Sequence, residues 1–188
     1  DLKTQAVNTW CPGCGNFPIL AILQQTFLNL TKDEQSKINS EDLVLVSGIG
    51  CSSKIIDYIN VNTFSALHGR PIASAQGIKL GNPDLKVVVA AGDGGLYNEG
   101  LSHLIHAAKR NADLTVLVHD NHTFALTTGQ FTATSPQGFS GSSTPQGSIE
   151  EPFNPLALMY EAGATFLART YSFNPPHLQQ TIEAAIKH

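Results

Sequence analysis

The sequence predicts an α/β fold, a parallel sheet with helices on both faces, and three observations carry that expectation. Short apolar runs recur at Leu43-Val44-Leu45-Val46, Val87-Val88-Val89-Ala90-Ala91 and Leu114-Thr115-Val116-Leu117-Val118. Segments of helical period separate them. Each run ends in a loop of small and polar residues: Gly48-Ile49-Gly50-Cys51-Ser52-Ser53, Gly92-Asp93-Gly94-Gly95 and Asp120-Asn121-His122-Thr123. Strands buried on both faces need apolar side chains at consecutive positions, and helices cover such sheets. Ligands then bind in the loops at the carboxyl ends of the strands.

The elements follow in order. Residues 17–30, with Phe17, Ile19, Leu20, Ile22, Leu23, Phe27, Leu28 and Leu30, carry a helical apolar pattern after Pro18. Leu43–Val46 is the first buried strand, and Pro71 to Leu80 reads as a small-residue helix. Val87–Ala91 is the second strand. Residues 97–110 form a helix with Leu101, Leu104, Ile105 and Ala108 inward. Leu114–Val118 is the third strand, Ala164 to Ala168 reads as a fourth, and residues 176–187 make the last helix. The stretch from Thr132 to Asn154 is rich in Ser, Thr, Gly, Pro and Gln. It reads as a long functional loop, too polar to pack within this domain and lying near a partner subunit.

With 188 residues, 41% of them hydrophobic, the chain can bury one substantial core, and residues 1–188 are expected to form a single domain. A net charge of −4 gives no basic footprint for nucleic acid. No apolar run approaches the roughly 20 residues of a membrane-spanning helix. The first residues carry no apolar stretch like a signal peptide, so the expected location is cytoplasmic. Three cysteines, an odd count, argue against a closed disulfide framework.

Chemistry concentrates at the strand ends. Strand, Gly92-Asp93-Gly94 and helix suggest a loop whose backbone N–H groups hold phosphate oxygens. Tyr97 stands where the dinucleotide fingerprint needs glycine, which disfavours a nicotinamide dehydrogenase. An aspartate here would repel a diphosphate unless a divalent cation lay between them. Mg²⁺ is commonly held by one or two protein carboxylates plus phosphate oxygens. Asn121, at the next strand end, would supply a second oxygen; the bland alternative is a simple turn.

Cys11-Pro12-Gly13-Cys14 and Cys51 suit an iron–sulfur cluster or a structural zinc, either of which usually takes a fourth ligand. A redox-active pair and incidental thiols are the other readings. Glu99, His103 and His106 share a helical face that imitates a zinc site, but a packed helix face explains them better. His68, ahead of a helix, is a better candidate for a polar cofactor contact.

Together these residues resemble the β subunit of the 2-oxoacid:ferredoxin oxidoreductases, particularly the 2-oxoglutarate branch. The matching stretches are Trp10-Cys11-Pro12-Gly13-Cys14-Gly15, Ser47 to Ser53, His68-Gly69-Arg70, Gly77-Ile78-Lys79-Leu80 with Asn82-Pro83, and Gly92-Asp93-Gly94. They continue through His103 to Asn111 and Leu126-Thr127-Thr128-Gly129-Gln130, in order from about residue 9 to 187.

The resemblance implies thiamine diphosphate with Mg²⁺. Asp93 and Asn121 would donate side-chain oxygens to the metal, and Thr123 its carbonyl. Ile49, Gly50, Cys51, Ser52, His68, Gly94, Gly95, Ala125 and Leu126 would line the cofactor. Cys11, Cys14 and Cys51 would hold a [4Fe-4S] cluster. The family's fourth cysteine lies downstream of the helix that ends this chain, so the C-terminal part of the family's subunit is expected to be missing. The implied reaction is oxidative decarboxylation of a 2-oxoacid, 2-oxoglutarate or pyruvate, to acyl-CoA and CO₂, with electrons leaving through the cluster to ferredoxin. An α subunit would complete the site, so this chain alone should not turn over. Gly95, His119-Asp120 and Ala125 depart from the usual Asp, Phe-Asn and Gly without touching the metal ligands.

Lys54, three residues after Cys51, has bland uses as a solvated helix-start residue or a cation offsetting the cluster's charge. The sharper expectation is a catalytic-site contact with the distal carboxylate of a dicarboxylic 2-oxoacid. Two rival functions remain, a non-oxidative thiamine-diphosphate decarboxylase and a non-catalytic iron–sulfur scaffold subunit.

Overall fold

The structure, a computed structural model, describes residues 2–33 and 38–188. Four parallel strands form the central sheet: β1 (Leu43–Ser47), β2 (Asn62–Ser65), β3 (Lys86–Gly92) and β4 (Thr115–His119), in the order β2-β1-β3-β4. Helices α1 (Asn16–Lys32), α2 (Pro71–Gly81), α3 (Leu101–Lys109), α4 (Pro155–Glu161) and α5 (Pro175–Lys187) cover it. A short antiparallel pair, β5 (Thr123–Phe124) with β6 (Gln130–Phe131), follows β4.

Strand parity explains the unbroken apolar runs. Along β1 and β3, Leu43, Leu45, Val88 and Ala90 meet Leu23, Phe27 and Leu30 of α1 and Leu178, Ile182 and Ile186 of α5. Their neighbours Val44, Val46, Val87, Val89 and Ala91 face the other way, onto Ile72 and Ala75 of α2, Leu104 and Ala107 of α3, and Met159 of α4. Side chains alternate across a strand, so a sheet buried on both faces needs apolar residues at every position. Losing one such side chain, as in Leu45→Ala, costs about 2–5 kcal/mol.

Three expectations need correction. The fourth strand is β2 rather than residues 164–168, which pair with no strand in the described residues. β2 is exposed at all four positions and carries one large apolar residue, Phe64, so it lacks the periodic signal of a buried strand. A cleft of about 560 Å³ separates β4 from residues 164–172, and among the described residues no strand pairs with the outer edge of β4. The helix expected over 97–110 is interrupted: a π-helical turn spans Gly94–Glu99, and α3 starts after Gly100. The helix also follows Gly100 because a side chain there would run into the carbonyls of Gly69 and Gly95.

The loop 132–154 is the third correction. Far from being too polar for this domain, it buries Thr132, Thr134, Ser135 and Ser148. These hydroxyls find carboxylate and carbonyl partners within the chain, which removes the penalty that polar burial otherwise carries. No helix in the described residues is long and apolar enough to cross a membrane.

Candidate active site at the strand ends

β1, β3 and β4 deliver their loops to one cavity of about 210 Å³. From β1 come Ile49, Gly50, Cys51 and Ser52, with His68 beside them. From β3 come Asp93, Gly94 and Gly95, and from β4 and the β5 turn come Asn121, Thr123, Ala125 and Leu126. Cys14 lies on its wall, next to the first turn of α1, whereas Cys11 and Lys54 do not line it. Nearly the whole set named from sequence thus faces one space.

Two glycines are required for this geometry. Gly50 has φ of 125°, a conformation side chains rarely adopt. At Gly94 a Cβ would overlap the Phe124 ring, so the backbone after Asp93 can pass only without one. His68 stands across that ring, 5.9 Å between centroids, from an exposed position.

Asp93 is the electrostatic centre. It is 1% exposed, and burial pushes its carboxyl above the usual range. The Thr132 hydroxyl opposes that rise, and the Asp120 charge adds to it. Thr132 Oγ1 donates to Asp93 Oδ2 at 2.7 Å, and Thr134 Oγ1 lies 3.2 Å from the same oxygen. Thr134 also donates to Asp120 Oδ1 at 2.8 Å. Asn121 Oδ1 accepts from the Thr123 backbone N–H at 3.3 Å, which holds this amide at the mouth of the site. Two carboxylates line the cavity and, among the described residues, no Lys or Arg does, so it suits a cation or an anion that brings one.

His119 and Asn16 also line the cavity, although sequence reasoning gave neither a role. His119 Nδ1 lies 2.8 Å from Asn16 Oδ1, so the ring donates there, and its Nε2 is buried with no partner among the described residues. Burial pushes the imidazole down to about 4, leaving it neutral at physiological pH. Both residues line the cavity and join the start of α1 to the end of β4. A histidine directly before Asp120-Asn121 was the only signal in the sequence.

The thiols share one neighbourhood. Cys51 is pushed up chiefly by burial, pulled down by Lys54, and pushed up further by Cys14 and Cys11. Trp10 Nε1 donates to the Cys51 carbonyl at 2.6 Å, and the Asn16 N–H points at Cys14 Sγ at 3.5 Å. All three cysteines are free, and among the described residues no three His, Cys, Asp or Glu side chains are gathered as a metal-holding group. Lys54 Nζ donates to Thr9 Oγ1 at 2.8 Å, away from the cavity wall.

Comparison with known proteins agrees with this geometry. Residues 48–188 match the family described as thiamine pyrophosphate enzyme, C-terminal TPP binding domain. The chain is 45% identical over 186 residues to 2-oxoacid:ferredoxin oxidoreductase 1, subunit beta, of Aeropyrum pernix, covering 99% of this chain and 57% of that protein. It is 41% identical to 2-oxoglutarate synthase subunit KorB of Methanothermobacter thermautotrophicus, covering 95% and 60%. A solved 2-oxoglutarate:ferredoxin oxidoreductase from Magnetococcus marinus, with 2-oxoglutarate, coenzyme A and succinyl-CoA bound, superimposes with a TM-score of 0.90 at 36% identity, covering 100% of this chain and 62% of that one. The chain therefore spans about three fifths of the length of these relatives. A match over most of the chain, in sequence and in fold, establishes that it belongs to the thiamine pyrophosphate enzymes, through their C-terminal TPP binding domain, and among them to the 2-oxoacid:ferredoxin oxidoreductase beta subunits.

Proposed function

We propose that the whole protein oxidatively decarboxylates a 2-oxoacid, 2-oxoglutarate or pyruvate, to acyl-CoA and CO₂, passing electrons through an iron–sulfur cluster to ferredoxin. The observation that carries this reading is Asp93: a carboxylate 1% exposed at a strand end, in a cavity that no Lys or Arg lines among the described residues. A buried charge needs a partner, and Mg²⁺ bridging to a diphosphate supplies one. Asp93, the Asn121 side chain and the Thr123 carbonyl are the oxygens that would hold it. The resident thiamine diphosphate would supply the carbon nucleophile that opens the 2-oxoacid to loss of CO₂. Ile49, Gly50, Ser52, Gly94, Gly95, Ala125 and Leu126 would shape its berth, with His68 as a polar contact.

Cys11, Cys14 and Cys51 would hold a [4Fe-4S] cluster beside that berth. The influence of Cys14 and Cys11 on Cys51 and the Trp10 clamp support this assignment. The position of Lys54, on Thr9 and beside Cys51, favours offsetting cluster charge over gripping substrate. An α subunit would cover the cavity mouth, where Ile49 and Leu126 stand 47% and 48% exposed. Coenzyme A and ferredoxin complete the set of partners, and the cytoplasm is the proposed compartment. The test is an anaerobic assay of the assembled complex with pyruvate, 2-oxoglutarate and branched 2-oxoacids, following ferredoxin or viologen reduction. Iron and acid-labile sulfide are measured on the same preparation. Cofactor binding without iron or sulfide would move the protein to the non-oxidative decarboxylases.

A further inference from the structure

The hydroxyls of the 132–135 stretch form a directional network around Asp93. Each hydroxyl has one proton to give. The Thr132 proton goes to Asp93 Oδ2 at 2.7 Å, since its other neighbours, Thr134 Oγ1 and Ser135 Oγ, lie at 3.3 Å. The Thr134 proton favours Asp120 Oδ1 at 2.8 Å over Asp93 Oδ2 at 3.2 Å. Ser135 donates to the His122 carbonyl at 2.5 Å and accepts the Thr132 N–H at 2.7 Å. Thr132 and Thr134 are 2% and 6% exposed, so water does not compete for these protons. The stretch is also anchored independently of Asp93, because Ala133 N–H donates to Asn98 Oδ1 at 3.0 Å. Thr132 Oγ1 donates to Oδ2 of Asp93, Thr134 Oγ1 approaches the same oxygen while its proton favours Asp120, the Gly94 backbone N–H also bonds the carboxylate, and among the described residues no side chain donates to Oδ1.

We propose that Thr132 and Thr134 are positioning residues for the cation site, fixing Oδ2 of Asp93 so that Oδ1 is the oxygen left for Mg²⁺. This rests on the reading of Asp93 as a metal ligand. A carboxylate free to rotate presents either oxygen or both, and its capture of a small, strictly octahedral ion suffers. Groups that orient a ligand from behind typically govern metal affinity 10- to 100-fold. Thr134, bridging Asp93 to Asp120, also ties the β3 and β4 ends on which the proposed ligands stand.

The test uses the full-length protein in its assembled complex, stripped of divalent cation by a chelator. Mg²⁺ is titrated at fixed thiamine diphosphate, with binding followed by calorimetry, and thermal melting is recorded without ligand. Thr132→Val, nearly the same shape without the donor, should raise the half-saturating Mg²⁺ concentration about 10-fold or more, and it should lower the ligand-free melting temperature modestly, since a buried carboxylate loses a donor. Thr132→Ser should restore most of the affinity. Thr134→Val should give a smaller rise, because its nearer acceptor is Asp120, and it decides the matter if Thr132→Val fails to assemble. Wild-type Mg²⁺ dependence in the valine variants would overturn the inference and leave the cofactor reading intact. Loss of affinity that Thr132→Ser does not rescue would overturn it too, pointing to loop packing. A wild-type complex indifferent to divalent cations would overturn both.

Discussion

The indole nitrogen of Trp10 donates to the backbone carbonyl of Cys51 at 2.6 Å, across 41 residues of sequence. Its ring is edge-packed on Tyr58 and Phe17, at 4.9 and 5.5 Å between centroids. The residue before the Cys11–Cys14 pair is therefore fastened to the loop that carries the third thiol. Trp10→Phe keeps the packing and removes the donor. It should lower stability by about 0.5–1.5 kcal/mol in denaturant titration, and iron content after oxygen exposure should fall faster than in wild type. Unchanged iron retention would mean that the clamp serves the fold alone.

Asp93→Asn tests the cation site without changing shape. Mg²⁺-dependent binding of thiamine diphosphate should be lost. The ligand-free protein should be no less stable than wild type, because a buried charge has been removed. Calorimetry with and without Mg²⁺ and a melting curve give both readouts. Retained, Mg²⁺-responsive binding would remove Asp93 from the ligand set.

His119 gives a pH dependence of known sign. Its folded-state pKa, pushed down to about 4, lies below the ordinary 6.5, so the unfolded chain takes up a proton that the folded chain refuses. The contribution is fully present above pH 6.5 and is lost as pH falls toward 4, on the order of 3 kcal/mol at full burial. His119→Phe should flatten this part of the stability profile, measured as urea midpoints from pH 7 to 4.5. Parallel profiles for wild type and variant would refute the assignment.

Gly94→Ala should be costly out of proportion to one methyl group. The added carbon meets the Phe124 ring, and overpacking of this kind costs about 1–3 kcal/mol. Phe124→Leu in the same chain should recover part of the loss. A double-mutant cycle in chemical denaturation measures the coupling, and strictly additive effects would rule out the steric account.

Lys54→Met separates two roles. With its ammonium on Thr9 and its field on Cys51, the variant should slow 2-oxoglutarate and pyruvate oxidation alike. A rise in KM of about 10- to 150-fold confined to 2-oxoglutarate would instead put the ammonium on the substrate's distal carboxylate.

What the sequence could reveal followed burial and chemistry. β1 and β3 were legible because covering both faces forces apolar residues at every position. β2 was not, since an exposed edge strand places no such demand on Asn62–Ser65. Residues 164–168 carry strand-like composition, yet they lie across a cleft from the edge they would have joined. The placement of Asp93 and Asn121 at strand ends on one cavity was legible because each stands directly after an apolar run. Thr132 and Thr134 were not, because their acceptor Asp93 lies 39 and 41 residues away and threonine in a polar loop looks solvent-facing. His119 depends in the same way on Asn16, 103 residues distant.

The two-sided strands have a consequence for redesign. Trp10 and Cys14 pack with the α1 and α5 face, whereas Tyr97 and Ala133, flanking the Asp93 pocket, pack with the α2, α3 and α4 face. Leu45 and Val46 are chain neighbours that support opposite halves of the chemistry. Leu43, Leu45, Val88 and Ala90 belong to the face that holds Trp10 and Cys14, and Val44, Val46, Val87, Val89 and Ala91 to the face that holds Tyr97 and Ala133. The two faces of the same strands can thus be repacked one at a time, each bearing on a different wall of the site.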